Sequence, residues 1–227
     1  MTEQDELESL LESSGIAERR PSLARYGALI LAANRRFNLT GAKNVKEIAE
    51  HLTDSLTAAP FIEGALVDVG SGAGLPAIPI AIVTGAPITL VECTLKKVRF
   101  LQEAIERFGL HGCVVAARAE TAAHDASLRE KFRSGTARAV ATAPAVAELL
   151  LPFIESGGAA LLQRGTCDLI ERNALEDAAG MLGGAVERYI EIDRAHDRTI
   201  AVVRKITQTP GRFPRRVGIP QKRPLCV

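Results

Sequence analysis

Asp68-Val-Gly-Ser-Gly-Ala-Gly74, followed about 20 positions later by Glu92, is where residue types and spacing in this chain could do chemistry. Ala65 to Val69 is a short apolar run that reads as a buried strand, and Leu75 to Val83 reads as a helix. Gly70, Gly72 and Gly74 lie in the turn between them. Glycines at a strand-to-helix turn permit tight backbone geometry and let a ligand approach the main chain. Glu92 closes Ile88-Thr-Leu-Val-Glu92, at the tip of the next strand, where a carboxylate can accept hydrogen bonds from ribose hydroxyls. Together these residues describe a pocket for a nucleoside cofactor.

The glycine spacing selects among such cofactors. The dinucleotide fingerprint G-x-G-x-x-G requires a glycine at position 75, which is Leu75. The pattern Asp68-x-Gly70-x-Gly72-x-Gly74 instead resembles the first motif of S-adenosylmethionine-dependent methyltransferases. An acidic residue beside the loop suits a ligand carrying an ammonium and a sulfonium better than one carrying two phosphates.

The elements that must position these residues follow from periodicity. Three helices precede the loop: one with Leu7, Leu10 and Leu11 on its apolar face, one over Ser22 to Arg35, and one over Val45 to Ala58. Strands at 65–69, 87–92, 112–116, 137–141 and 158–163 then alternate with helices at about 75–84, 95–108, 144–154 and 168–179. That alternation is the mark of a parallel sheet covered on both faces. Leu95, Val98, Leu101, Ile105 and Phe108 form the apolar stripe of the helix at 95–108. The last two strands, 184–192 and 198–204, are separated only by Arg194-Ala-His-Asp197, too short for a helix, so they must be antiparallel. The expected fold is an α/β, Rossmann-like seven-stranded methyltransferase sheet with a C-terminal antiparallel hairpin. Residues 1–60 are expected to form an N-terminal helical appendage, 61–207 the cofactor-binding domain, and 208–227 a basic, Pro-rich tail.

Composition narrows the class. No apolar run among the 227 residues reaches the ~20 needed for a membrane span, although 47% are hydrophobic. Met1-Thr-Glu-Gln-Asp-Glu-Leu7 is acidic and lacks the order of a signal peptide. Cys93, Cys113, Cys167 and Cys226 form no C-x-x-C pair and read as reduced thiols, not as a disulfide frame or a zinc site. Cytoplasmic placement and no metal are the expectations. The net charge of +1 hides an acidic start and a tail with Arg212, Arg215, Arg216, Lys222 and Arg223 and no acid. Pro210, Pro214, Pro220 and Pro224 should keep that tail extended. It could neutralise RNA phosphates, or dock on the domain through Phe213, Ile219 and Leu225.

A more specific resemblance covers the chain from about Tyr26 to Leu225. Asn34-Arg-Arg-Phe-Asn-Leu-Thr40, His51-Leu-Thr-Asp-Ser55, Asp68 to Pro76, Lys96-Lys-Val-Arg-Phe-Leu101, Ala117-Arg-Ala-Glu120, Thr136-Ala-Arg-Ala-Val140, Pro152 and Arg212-Phe-Pro-Arg-Arg216 resemble the rRNA small-subunit methyltransferase G family, also called glucose-inhibited division protein B. The resemblance implies methylation of N7 of a guanine in 16S rRNA, position 527 in the family's convention, from S-adenosylmethionine. It implies cofactor roles for Gly70, Leu75, the Ala119-Glu120 pair and Arg138. The expected partner is 16S rRNA or a small-subunit precursor, and the expected state a monomer. Ala33 stands where the family commonly has tryptophan, Arg133-Ser-Gly135 where it often has an acid, and Arg164 where it often has lysine.

The residues themselves leave several roles open. Glu120 could meet the adenine amino group through its side chain, the pair's backbone could do so instead, or the carboxylate could simply be solvated. Arg138 could bind the cofactor carboxylate, an RNA phosphate or a structural acid, and the first is the expectation. Asn38 suits a base edge or a helix cap. Arg164, with Arg138 and the tail arginines, is expected to border an open, RNA-sized mouth. His51 and Asp54, three apart on one helix face, are expected to pack the appendage against the domain. His111, His124 and His196 suggest only solvation. Guanine N7 carries a free lone pair and no proton, so no general base is expected. A small-molecule methyltransferase on the same fold and a non-enzymatic RNA-binding or assembly protein are the rival readings.

Overall fold

The structure, a computed structural model, describes residues 2–12, 17–138, 141–165, 168–193 and 198–226. The end of the expected fourth strand at residues 139–140, Cys167, and the Arg194–Asp197 turn with His196 lie outside the described residues.

Seven strands form one sheet: β1 (Leu66–Val69), β2 (Ile88–Val91), β3 (Gly112–Val115), β4 (Phe132–Arg138), β5 (Ile154–Arg164), β6 (Gly184–Asp193) and β7 (Arg198–Lys205). Their order is β3-β2-β1-β4-β5-β7-β6, parallel throughout except that β7 runs antiparallel to both β5 and β6. The chain reverses direction across the sheet beside β1, and in open α/β sheets that switch point is where ligands bind, outside the carboxyl ends of the strands.

Successive side chains of a strand point to opposite faces. Leu66, Ala159 and Leu161 join one apolar core with α1 (Glu3–Leu10), α2 (Arg20–Asn34), α3 (Val45–Leu56), α4 (Ala77–Thr84) and α5 (Leu95–Arg107). Val67, Val69, Ala160 and Leu162 join the other core, with α7 (Ala143–Leu150) and α8 (Leu169–Met181). The alternation therefore puts Asp68, Thr136, Arg138 and Gln163 on the face that the N-terminal helices cover. Those helices share a continuous core with the sheet: Leu7, Leu23, Tyr26, Ile30, Ile48 and Leu52 are fully buried in the cluster that includes Ile78 and Ile80 of α4.

Side chains close the starts of α1 and α3. Thr2 and Asp5 form a reciprocal capping box on α1, and Asn44 accepts the Glu47 N–H at 2.9 Å to cap α3.

Three expectations are corrected. The fourth strand, Phe132–Arg138 among the described residues, begins five residues before the expected start at 137. Its first half reads as polar loop, yet Ser134 and Thr136 are buried with their hydroxyls paired to the Glu63 carbonyl and to Asp68, each at 2.8 Å. Gly135 lets Ile154 pack close, since a Cβ there would lie 2.6 Å from Ile154 Cδ1 and displace it. Arg133 consequently belongs to a strand, paired with Glu63, and not to a loop. Leu95 is 66% exposed and leaves the apolar stripe of α5 to Val98 and Leu101. The tail is not uniformly extended, since Ile219–Lys222 forms one helical turn, α9.

Candidate cofactor loop and arginine-lined cavity

β1 delivers the chain into a loop whose glycines take backbone angles that L side chains avoid: φ is +70° at Gly70, +56° at Gly72 and +72° at Gly74. Two of the three serve different ends. A Cβ on Gly74 would strike Ile78 Cδ1 at 2.5 Å and the Tyr26 hydroxyl at 2.6 Å, so packing forbids it. A Cβ on Gly72 would meet only the Gly70 carbonyl, at 3.7 Å, so it would project into open space where a ligand would lie. The loop is tied down by Gly70 and Ser71 N–H groups on the Val91 carbonyl (2.9 and 3.2 Å) and by the Ser71 hydroxyl on the Asp68 carbonyl (2.9 Å). Tyr26, fully buried on α2, donates its hydroxyl to the Ala73 carbonyl. The helical appendage thus grips the glycine loop directly.

Glu92 follows β2 and turns back toward the loop. Its Oε2 accepts the Gly72 N–H at 3.0 Å and its Oε1 the Thr94 N–H at 2.7 Å. Burial pushes this carboxyl up, but those backbone donors, the Thr94 hydroxyl and Lys97 outweigh it and hold Glu92 below its ordinary value. It is ionised at neutral pH. Asp68 is the opposite case. It is almost fully buried, Thr136 Oγ1 donates to its Oδ1 at 2.8 Å, and Oδ2 has no partner. Burial raises its pKa to about 7 against the lowering effects of Thr136, Ser71 and Arg138. An orphaned, buried carboxylate oxygen at the base of an open glycine loop fits a cationic ligand group. Leu75 is buried beside the loop, and the helix starts two residues later than expected, at Ala77.

Along the same sheet edge, a cavity of about 530 Å³ lies between α3 and the tips of β4, β5 and β7. Arg138, Arg164 and Arg198 line it. Asp54 on α3 sits between two of them, 3.0 Å from Arg138 Nη1 and 3.2 Å from Arg198 Nη1. Arg138 also donates to the His51 carbonyl, and Gln163 Nε2 to the Asp54 carbonyl at 3.0 Å. Asp54 therefore joins the appendage to three strands, the packing role expected of this helix face. Arg138 thus has a structural acid, Asp54, as one partner. His51 is held below its usual pKa by burial and then by the neighbouring Arg138. Arg164 donates to the Ala141 carbonyl and pairs with Glu171 at 2.6 Å. Asn38 is exposed in a separate groove that shares Thr40 and Gly41 with this cavity. It caps no helix start: Asn44 caps α3, and Asn34 holds the loop through the Leu39 and Thr40 N–H groups. No group of three or more potential metal ligands occurs among the described residues.

The tail packs onto the face opposite the appendage. Phe213 and Leu225 are buried, and Arg129 donates to four carbonyls, of Ala123, Thr209, Pro210 and Phe213. Arg215 makes a two-pronged pair with fully buried Glu148, at 2.6 Å for the shortest contact. That pair gives Arg215 a structural partner within the fold. Arg212 and Arg216 are exposed. Glu120, on α6 (Ala119–Ala122), is not solvated: its Oε1 accepts the Gly218 N–H at 2.7 Å. His124 likewise bonds the Pro214 carbonyl rather than only water. Sequence reasoning placed Tyr26 on the apolar stripe of its helix but missed its bond to the loop, and it passed over Arg129, Glu148 and Arg198. Of these three, Arg198 carried a signal, as a cation opening the last strand.

The sheet order, the glycine loop at its switch point and the carboxylate after β2 define an α/β protein of the methyltransferase type. Solved structures agree at the level of fold: the ribosomal protein L11 methylase of Lactobacillus delbrueckii subsp. bulgaricus has a TM-score of 0.54, 11% identity and coverage of 70% of this chain and 80% of its own. The branched-chain polyamine synthase of Thermus thermophilus has a TM-score of 0.58, 14% identity and coverage of 82% and 65%. The model of the family rRNA small subunit methyltransferase G matches residues 19–201. Proteins named ribosomal RNA small subunit methyltransferase G from Rubrobacter xylanophilus and Pelotomaculum thermopropionicum are 38% and 41% identical, covering 95% and 88% of this chain and 88% of each relative. The chain belongs to that family.

Proposed function

We propose that the protein transfers a methyl group from S-adenosylmethionine to N7 of a guanine in 16S rRNA, the position the family's convention numbers 527. The observation that carries this reading is the placement, on one sheet edge, of a cofactor-type loop beside an arginine-lined cavity. When bound, the cofactor supplies an electrophilic methyl group on a sulfonium.

The protein's own residues would bind and align. Glu92, ionised and fixed by two backbone donors, has lone pairs left for the ribose hydroxyls. Asp68 Oδ2 offers the cofactor's ammonium a buried negative partner. Gly70, Gly72 and Gly74 leave the main chain open to the amino-acid end, and Leu75 forms an apolar wall. Ala119 and Glu120 stand on the adenine side, where Glu120 Oε2 and the backbone suit the amino group. Among the described residues Arg138 uses Nη1 on Asp54 and the His51 carbonyl, so its other donors suit the cofactor carboxylate or an RNA phosphate. Arg164, Arg198 and Asn38 border the path of the base. Exposed Arg212 and Arg216 suit phosphates beside it.

N7 presents its lone pair in the ring plane and carries no proton, so catalysis rests on alignment with the methyl carbon and on exclusion of water. Neither a general base nor a metal is required. The substrate is 16S rRNA or a small-subunit precursor, and the enzyme works as a cytoplasmic monomer. Mapping methylated rRNA positions in cells lacking the protein tests the reading: one N7-methylguanosine should disappear and return with the wild-type gene. An unchanged rRNA methylation map would overturn it.

A further inference from the structure

We infer that the groove between the N-terminal appendage and the start of α5 carries the single-stranded RNA flanking the target guanine, with Lys43, Lys46 and Lys97 on its phosphates; this rests on the rRNA reading above. The groove has a volume of about 1260 Å³ and is lined by the α2–α3 connection, the first turn of α3 and Lys97 of α5. A pocket for a small ligand spans about 300–1,000 Å³ and is mostly apolar. This groove is larger, and the amides of Asn34, Asn38 and Asn44 stand among its lysines. Glu3 and Glu6 also line it, but Glu3 is paired with Arg35, so the three lysines leave the lining cationic. None of the three makes a salt bridge among the described residues. The arginines of the neighbouring cavity, by contrast, are held by Asp54 and Glu171.

The groove touches both halves of the site. Thr40 and Gly41 line it and the arginine-lined cavity alike, so the two meet at that lip. The lip is low: a Cβ on Gly41 would meet nothing within 4 Å. At the other side Lys97 stands three residues past Thr94, whose N–H Glu92 holds at 2.7 Å, and its charge acts on Glu92. The groove therefore links the path of the base to the rim of the cofactor loop. A second hollow, of about 380 Å³, begins at the adjacent Lys96 and is lined also by Arg36 and Arg99. Those three cations are exposed and likewise make no salt bridge among the described residues.

Folding alone does not account for these cations. α5 has no acid in its first turn and no side-chain cap, and Lys96 and Lys97 occupy that turn. Cations there oppose the helix macrodipole and destabilise the helix. α1 shows the ordinary solution, with acids in its first turn and a capping box. A local cost with no compensating bond inside the chain marks a functional surface. A polyanion removes that cost, because each phosphate neutralised releases condensed counterions. Cationic grooves hold single strands in this way, following the backbone without reading sequence. A strand whose guanine enters the cavity must leave it, and the Thr40–Gly41 lip opens onto the groove.

The test measures binding of 16S rRNA from cells lacking the enzyme across a salt series, together with S-adenosylmethionine affinity, melting temperature and methylation kinetics. The variants are Lys43→Gln/Lys46→Gln, Lys96→Gln/Arg99→Gln and the charge-keeping Lys43→Arg/Lys46→Arg. Lys131→Gln serves as the control, an exposed cation just before β4, at the amino edge of the sheet. Lys97 stays intact because its charge acts on Glu92. Each glutamine variant should lower the salt slope by about 1 per cation removed and raise KM for RNA, with cofactor affinity unchanged. The arginine variant and Lys131→Gln should bind as wild type does. The melting temperature of Lys96→Gln/Arg99→Gln should hold or rise, whereas a structural role would lower it. Wild-type slopes in both glutamine variants would overturn the track. So would variants that bind naked RNA normally and lose affinity only for assembled subunits, because the groove would then meet an acidic protein face. If wild type itself neither binds nor methylates 16S rRNA, the functional reading falls and the track with it; wild-type methylation with unaltered slopes in the variants sinks the track alone.

Discussion

The Tyr26 hydroxyl donates to the carbonyl of Ala73, joining a helix of the N-terminal appendage to the middle of the cofactor loop. Neither group reaches water in the folded chain, Tyr26 being fully buried and Ala73 nearly so. Tyr26→Phe keeps the ring packed edge-on against Phe108 but leaves the carbonyl unpaired. That should lower stability by about 1–3 kcal/mol and weaken cofactor binding by loosening the loop. Thermal unfolding and calorimetric titration with S-adenosylmethionine check both; a destabilised variant with wild-type affinity would separate the appendage from cofactor binding.

Glu92→Ala should weaken S-adenosylmethionine binding by about 1.5–3 kcal/mol, the range for hydrogen bonds to a charged group. The loss has two origins: the ribose hydroxyls lose an acceptor, and the Gly72 and Thr94 N–H groups lose theirs. Gly72→Val should be worse, because the new side chain would project into the ligand space at a left-handed backbone position. Unchanged affinity in both variants would remove the loop from the cofactor site.

Asp68 makes a pH-dependent prediction. Its folded pKa of about 7 lies above the ordinary 3.8, so the folded state holds the extra proton between those values. Its contribution to stability is fully present below about pH 4 and is lost as pH rises through about 7. Asp68→Asn, which mimics the protonated form, should be more stable than wild type at pH 8 by on the order of 2 kcal/mol, with the advantage fading toward pH 4. A cofactor ammonium beside Oδ2 favours the ionised carboxyl, so binding near pH 6.5 should release a proton. Calorimetry in buffers of different ionisation enthalpy reads that release, which the Asn variant should lack.

The tail separates into two chemistries. Arg215→Ala would leave Glu148 buried without its partner and should cost about 3 kcal/mol of stability. Arg212→Ala and Arg216→Ala should leave the melting temperature alone and lower RNA affinity. Each should also reduce the salt slope by about 1 for every phosphate it no longer neutralises. Filter binding across a salt series distinguishes them. An Arg215 variant that unfolds normally but binds RNA with a reduced slope would reverse the assignment.

The sheet, its hairpin and the loop were legible in the residues because each rests on a local signal: apolar runs, helical periodicity, glycine spacing and a gap too short for a helix. Glu92 was legible for the same reason, since the strand before it places its carboxylate. What the residues hid depends on pairing across long separations. The fourth strand carries Ser134 and Thr136 ahead of the stretch expected to be strand, and their partners at Glu63 and Asp68 show why polar residues are buried there. The tail's role turned on Glu148, which sits in an ordinary apolar helix pattern and shows its purpose only against Arg215. Arg138 and Asp54 lie 84 positions apart, and no periodicity announces such a pair.

The central claim is that this protein methylates guanine N7 in 16S rRNA. The most direct measurement incubates the purified enzyme and methyl-labelled S-adenosylmethionine with 16S rRNA or small subunits from cells lacking the enzyme, followed by nucleoside mass spectrometry and position mapping. One label per rRNA, recovered as N7-methylguanosine at a single position and abolished by Glu92→Ala, is the expected result. Label absent from the rRNA, or recovered in any other nucleoside, would contradict the account.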